Sequence, residues 1–242
     1  MFKAIQNSLL SIFYPQECSS CVRQADSIED GVSCGECWAA TRIFDGTEML
    51  CDKCGAYFDE IAAPFPVFCK KCDDHHYDKA AALGVYEKAL SATIVNLKTS
   101  PILPARVKEM IPSAVVRTGF IDADVILPIP LSKQRQIERG FNQAEIIAAV
   151  ISRSTGIPTD RSSLARNRHT PIHRVAMDDK ARELTVKNAF EIARPKLIDG
   201  KAILLIDDVF TSGATASNCA KILKRNGATK VNIFTLARAV MN

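Results

Sequence analysis

The clearest hydrophobic pattern lies near the C-terminal end of the chain. Ala202 to Ile206 is an unbroken apolar run, as a strand buried on both faces of a parallel sheet requires. Two carboxylates, Asp207 and Asp208, follow at its carboxyl end, and then a loop of small and hydroxyl residues from Thr211 to Thr215. Beyond it Ala216, Cys219, Ala220 and Leu223 recur at helical spacing, and Gly227 stands where a left-handed residue stops a helix. Lys221, Lys224 and Arg225 fall in the last turns, where the helix dipole favours cations. Earlier in the chain, the alternation from Lys79 onward predicts a strand leading into a helix over Ala89–Lys98, which Pro101 ends. A second helix is predicted over Ala105–Arg117, and Asp124–Leu131 reads as a buried strand running into a proline-rigid loop. Asn142, with Glu145 three residues on, opens a further helix like a capping box. Ile146, Ile147, Val150 and Ile151 give that helix its apolar face, and Gly156 ends it. Strands alternating with helices predict an α/β fold with a mostly parallel sheet flanked by helices, its ligand at the carboxyl ends of the strands.

Charge and cysteine usage divide this picture in two. Residues 1–78 hold 6 Lys and Arg against 13 Asp and Glu, a net −7, whereas residues 79–242 hold 25 against 14, a net +11. The break at about Asp78 is the expected domain boundary, and the basic part would attract phosphate-rich partners. Eight of the nine cysteines lie in the first 72 residues as four CxxC pairs: Cys18/Cys21, Cys34/Cys37, Cys51/Cys54 and Cys69/Cys72, with 12, 13 and 14 residues between them. Two CxxC turns complete one tetrahedral four-cysteine zinc site, so the segment is expected to hold two structural zinc ions and to fold only with them. Sequential pairing of the turns is the expectation, and interleaved pairing the alternative. His75 and His76 are read as surface residues, and Cys219 as part of its helix core. No apolar run reaches the roughly 20 residues of a membrane span. Phe2, Ile5, Leu9 and Phe13 are helically spaced but too interrupted for a secretion signal, so a cytoplasmic protein with reduced thiols is expected.

The acid pair and the loop after it suit a sugar phosphate. Unpaired amides at a helix N-terminus hold an anion, Gly213 and Ala214 allow close approach, and the hydroxyls of Thr211, Ser212 and Thr215 can donate. Two carboxylates suit vicinal hydroxyls. The string LLIDDVFTSGAT, Leu204 to Thr215, resembles the phosphoribosyl-pyrophosphate (PRPP) motif of type I phosphoribosyltransferases, with Ser212 where Thr is usual. That resemblance implies that Asp207 and Asp208 meet the ribose hydroxyls, that Thr211, Ser212, Gly213, Ala214 and Thr215 hold the 5′-phosphate with Val209 and Phe210 alongside, and that Mg²⁺ accompanies the pyrophosphate.

Residues 128–145, PIPLSKQRQIERGFNQAE, together with the CxxC pairs and Leu97-Lys98, are similar to the ComF/GntX family. That family joins a double zinc ribbon to a type I phosphoribosyltransferase-like domain. The resemblance implies pyrophosphate contacts at Leu131, Ser132 and Lys133, with Arg135 and Arg139 nearby. It also likens residues 164–190, with Arg166, Arg168, Arg174, Lys180 and Arg182, to the basic loop that closes over PRPP. His173 and Thr185 depart from the family's usual Gln and Asn. The implied function is PRPP binding, with Asp207 and Asp208 catalytic if pyrophosphate is displaced, in a protein linked to DNA uptake and to other competence proteins. The alternative is a non-catalytic protein associated with single-stranded DNA that uses PRPP only as a regulatory ligand.

Overall fold

The computed structural model describes residues 16–25, 27–61, 65–166 and 189–240. The helical pattern at Phe2–Phe13 and the basic residues from Arg168 to Thr185 lie outside them. In the cysteine-rich part, β1 (Gln16–Glu17) pairs antiparallel with β2 (Gln24–Ala25), α1 (Gly35–Ala39) follows, and β3 (Glu48–Leu50) pairs antiparallel with β4 (Tyr57–Ile61). The α/β part runs β5 (Lys79–Val85), α2 (Lys88–Asn96), α3 (Ala105–Arg117), β6 (Val125–Pro128), α4 (Lys133–Arg139), α5 (Gln143–Thr155), β7 (Leu164–Arg166), β8 (Phe190–Ile192), β9 (Ala202–Phe210), α6 (Ala214–Arg225) and β10 (Lys230–Arg238).

Four strands form an all-parallel sheet in the order β5-β10-β9-β6, and β7 pairs antiparallel with β8 beside it. The apolar run of β9 is explained by burial on both faces. Leu204 and Ile206 face α2, α3 and α5 together with Leu83, Ile126, Phe234 and Leu236. Ile203 and Leu205 face α6 with Leu127, Val231 and Ile233. Each such aliphatic side chain contributes about 1.5–3 kcal/mol on leaving water, so β9 and β10 anchor the molecule. Within α5 the deepest positions are Ala144, Ile147, Ala148 and Ile151, while Ile146 and Val150 pack half-buried at the margin.

Two sequence expectations change, and one further helix appears. Strand β9 does not stop at Ile206 but carries the acid pair inside it, because β10 continues the ladder with Thr235 opposite Asp207 and Arg238 opposite Phe210. Pairing with β6 ends earlier, at Pro128 and Ile206. Residues 133–139, to which the sequence pattern assigned no element, form a helix: the Ser132 hydroxyl accepts from the Arg135 amide at 3.4 Å, and Gly140 at φ 74° stops the turn. Asn142 does cap α5, accepting from the Ala144 amide at 3.0 Å, but Glu145 turns to Arg161 at 3.7 Å instead of closing a capping box.

The cysteine-rich part wraps β5, the edge strand. Phe44 N donates to Leu83 O at 2.9 Å, Val85 N to Arg42 O at 2.9 Å and Ala80 N to Lys53 O at 2.7 Å. Contact is close enough that a Cβ on Gly84 would stand 2.4 Å from the Arg42 carbonyl. Cys18, Cys34, Cys37 and Trp38 join the core on one face of the sheet, and Cys51, Cys54, Cys72 and Tyr77 join it on the other. Trp38 is fixed by its indole N–H on Asp30 O at 2.9 Å, with the Arg106 guanidinium over its ring and on the Asp30 carboxylate.

Candidate metal centres and anion pocket

Sequential pairing of the CxxC turns is what the chain adopts. The sulfurs of Cys18, Cys21, Cys34 and Cys37 lie within 4.8 Å of one another, and so do those of Cys51, Cys54, Cys69 and Cys72. Cys18 and Cys37 are 3.7 Å apart, as are Cys21 and Cys34, and Cys51–Cys72 and Cys54–Cys69 measure 3.6 and 3.4 Å. These spacings exceed the roughly 2 Å of a disulfide and approach the edge of about 3.8 Å in a tetrahedron with 2.3 Å zinc–sulfur bonds. Amides support the sulfurs: Cys34 N donates to Cys18 at 3.2 Å, and Cys69 N to Cys51 at 3.3 Å. Burial, then the neighbouring thiols, pushes Cys37 up to about 12. Burial also raises Cys54 to about 12, against the opposing charge of Arg238. Clustered, buried sulfurs of this kind need a cation, and both sites fit zinc. Four sulfurs fill each coordination shell, so these sites are structural rather than catalytic.

His76 is exposed, as expected, but His75 is half-buried and its Nδ1 lies 2.6 Å from the Tyr77 hydroxyl. Cys219 sits fully buried on α6, where burial raises its thiol well above the ordinary value.

A pocket of about 390 Å³ opens at the carboxyl ends of the strands. Asp207, Asp208, Val209 and Phe210 form its floor, and Thr211, Gly213 and Thr215 form the wall at the start of α6. Each carboxylate of the pair accepts from the next amide, Asp208 N on Asp207 Oδ1 at 2.9 Å and Val209 N on Asp208 Oδ1 at 2.8 Å. Burial, followed by the charge of Asp208, holds the Asp207 carboxyl well above the usual range, and Arg166 opposes this. Gly213 makes the turn possible at φ 80°, and a Cβ there would stand 2.6 Å from the Phe210 ring and 2.8 Å from His75. Lys98, Arg135 and Arg139 line the same pocket, with Arg135 and Arg139 one helical turn apart on α4.

Of the other residues that the sequence singled out, Leu131 and Arg166 line the pocket. Ser132 is buried beneath it as the cap of α4, and Lys133 is exposed on that helix. Ser212 is exposed, its hydroxyl accepting from Ala214 N at 3.4 Å, so the two close the loop on itself. Arg168 lies outside the described residues. Among the lining residues that sequence reasoning missed are Tyr86, Asn142 as a lining group and Gln143. Asn142 Nδ2 donates to Ile129 O at 3.0 Å, tying the loop after β6 to α5. Gln143 is 2% exposed; it donates to Leu97 O at 3.2 Å and accepts from Arg139 at 2.8 Å, fixing two parts of the cationic wall. A buried Asn-Gln pair at a helix start was the available signal.

Residues 9–73 match the family model for the double zinc ribbon domain. Competence protein F of Haemophilus influenzae is 28% identical over 236 residues, covering 94% of this chain and 99% of the relative. The DNA utilization protein YhgH of Shigella flexneri is 28% identical over 221 residues, 86% of this chain and 90% of the relative. Among solved structures, glutamine PRPP amidotransferase of B. subtilis, complexed with ADP and GMP, is similar at TM-score 0.36 and 20% identity. That likeness covers 60% of this chain, which spans about a quarter (26%) of the amidotransferase chain. Among the described residues no helix is long and apolar enough to cross a membrane. Residues 9–73 thus form a double zinc ribbon with two four-cysteine sites, joined to an α/β part built on a parallel sheet, and over nearly its whole length the chain is similar to competence protein F of Haemophilus influenzae.

Proposed function

We propose that the pocket binds PRPP and that the chain serves a competence-related role in handling DNA, as the names of its relatives suggest for them. The observation that carries the reading is that one pocket is lined by the Asp207–Asp208 pair, the Gly213 turn and the cations Lys98, Arg135 and Arg139 together. The turn and the start of α6 would take the 5′-phosphate, the acid pair the ribose hydroxyls, and the cations the pyrophosphate. Oxygen-only donors at the acid pair fit Mg²⁺ entering with the ligand, where it would neutralise pyrophosphate charge.

In a transfer reaction the bond from the anomeric carbon to pyrophosphate breaks, its electron pair leaving with pyrophosphate, and an acceptor's lone pair forms the new bond. Asp207 and Asp208 would steady the cationic ribose as that charge develops, and the arginines the departing anion. Calorimetry with PRPP and Mg²⁺ tests the binding, and pyrophosphate release on adding bases or oligonucleotides tests the transfer. Absence of binding by wild-type protein would overturn the reading.

A second reading, PRPP as a regulatory ligand of a protein on single-stranded DNA, is supported by the concentration of positive charge in residues 79–242. Binding without pyrophosphate release from any acceptor, together with DNA affinity that responds to PRPP, would favour it.

A further inference from the structure

The two zinc sites differ in what stands behind them. At the first site Cys18 receives backbone amides, from Ser20 and Cys34, and the side chain that bonds Cys21 is the exposed Arg23. At the second site a side chain reaches the sulfur: Arg238 Nη2 donates to Cys54 at 3.4 Å. Arg238 is only 5% exposed, and its Nη1 has no hydrogen-bond partner among the described residues. An interior guanidinium demands a counter-charge, and a loaded four-cysteine zinc site, with four thiolates around one divalent ion, is net negative.

The other flank of Arg238 is the phosphate loop. Its guanidinium carbon lies 4.4 Å from the centroid of the Phe210 ring, and the two residues are register partners on β10 and β9. Phe210 in turn packs under Gly213. Tyr77 meets Phe210 edge-on at 5.8 Å and bonds His75, whose ring also closes on Gly213. A side chain between a metal-bound sulfur and the ring beneath a binding loop orients both, as outer-shell groups do at metal sites.

We propose that Arg238 is a positioning residue that makes the shape of the loop 210–215 depend on the second zinc site and not on the first. The inference rests on reading that loop as the phosphate site. With the metal gone, the four sulfurs are no longer tied together, Cys54 ceases to hold Arg238, and Phe210 loses the cation over its ring. Coupling between sites is reciprocal, so PRPP should tighten zinc at the second site alone.

The test uses the full-length, zinc-loaded protein and three variants: Arg238→Met, which keeps length and loses charge, Cys69→Ser at the second site and Cys21→Ser at the first. Amide hydrogen exchange is followed by mass spectrometry. Exchange at 207–217 should rise at least tenfold in Arg238→Met and Cys69→Ser, and remain at the wild-type rate in Cys21→Ser. Arg238→Lys should recover part of the protection. Equilibrium competition with a zinc-binding dye should show PRPP raising the affinity of one zinc of the two in wild type, and of neither in Arg238→Met. Unchanged exchange at 207–217 in Arg238→Met overturns the proposal. So does faster exchange throughout that variant, which would make Arg238 a general core residue. Because the exchange arm contains no PRPP, a wild-type protein that fails to bind PRPP counts against the pocket reading and leaves the positioning result to stand or fall separately.

Discussion

At the scale of single residues, the acid pair does two things that pull against each other. Asp207→Asn and Asp208→Asn should each weaken PRPP binding about ten- to a hundred-fold, from the loss of a charge-assisted bond worth roughly 1.5–3 kcal/mol. Calorimetry would show this, and unchanged affinity in both variants would make the motif purely structural. Stability should move the other way at position 207. Burial and the Asp208 charge raise the folded-state pKa of Asp207. Its stabilising contribution is therefore complete below the unfolded carboxylate value of about 4 and is lost as pH rises through the folded value. Asn mimics the neutral acid, so Asp207→Asn should melt higher than wild type near neutral pH, with the gap closing toward pH 4. Gly213→Ala is a sharper lesion. At φ 80° a methyl group costs roughly 1–2 kcal/mol in backbone strain alone, and here it also meets the Phe210 ring. Denaturant melts should record at least that loss, and PRPP affinity should fall with it.

At the scale of elements, what could be read from the sequence was whatever repeats or runs. Four CxxC turns announced both metal sites, and metal analysis of protein purified without added zinc should give about two ions per chain, unchanged by Cys219→Ser. A ratio near zero, with the thiols titrating as disulfides, would overturn that. The apolar run of β9 announced the central sheet because burial on both faces forbids polar residues. The end of β9 was hidden, since Asp207 and Asp208 look like a loop until β10 is seen to continue beside them. Helix α4 was hidden too: with no buried residue it has no apolar face to display, and it rests on the Ser132 and Gly140 caps. Tyr86 and Gln143 reach the pocket only through the docking of β5 and α5, a relation between distant segments that no local pattern encodes.

At the scale of the whole molecule, the charge split assigns the search for DNA contacts to the α/β part. If single-stranded DNA binds, each phosphate contact releases about 0.7 of a counterion, so affinity should fall steeply with salt. Replacing Arg135, Arg139, Arg166 and Arg168 with Gln should weaken binding and flatten that slope in a filter-binding titration. Equal binding by the quadruple variant, or by residues 1–78 alone, would sink the assignment. PRPP should compete where the sites overlap, since Arg135, Arg139 and Arg166 line the pocket. The way the ribbons grip β5 bears on how many copies of the chain can exist apart. A sheet that ends in a bare strand invites a second sheet to continue it. Here segments 42–44 and Lys53 already occupy that rim. Cutting the chain at the proposed boundary after Asp78 would thus release a fragment with one adhesive side, and the zinc-bearing part emerges as the molecule's own guard against joining its neighbours.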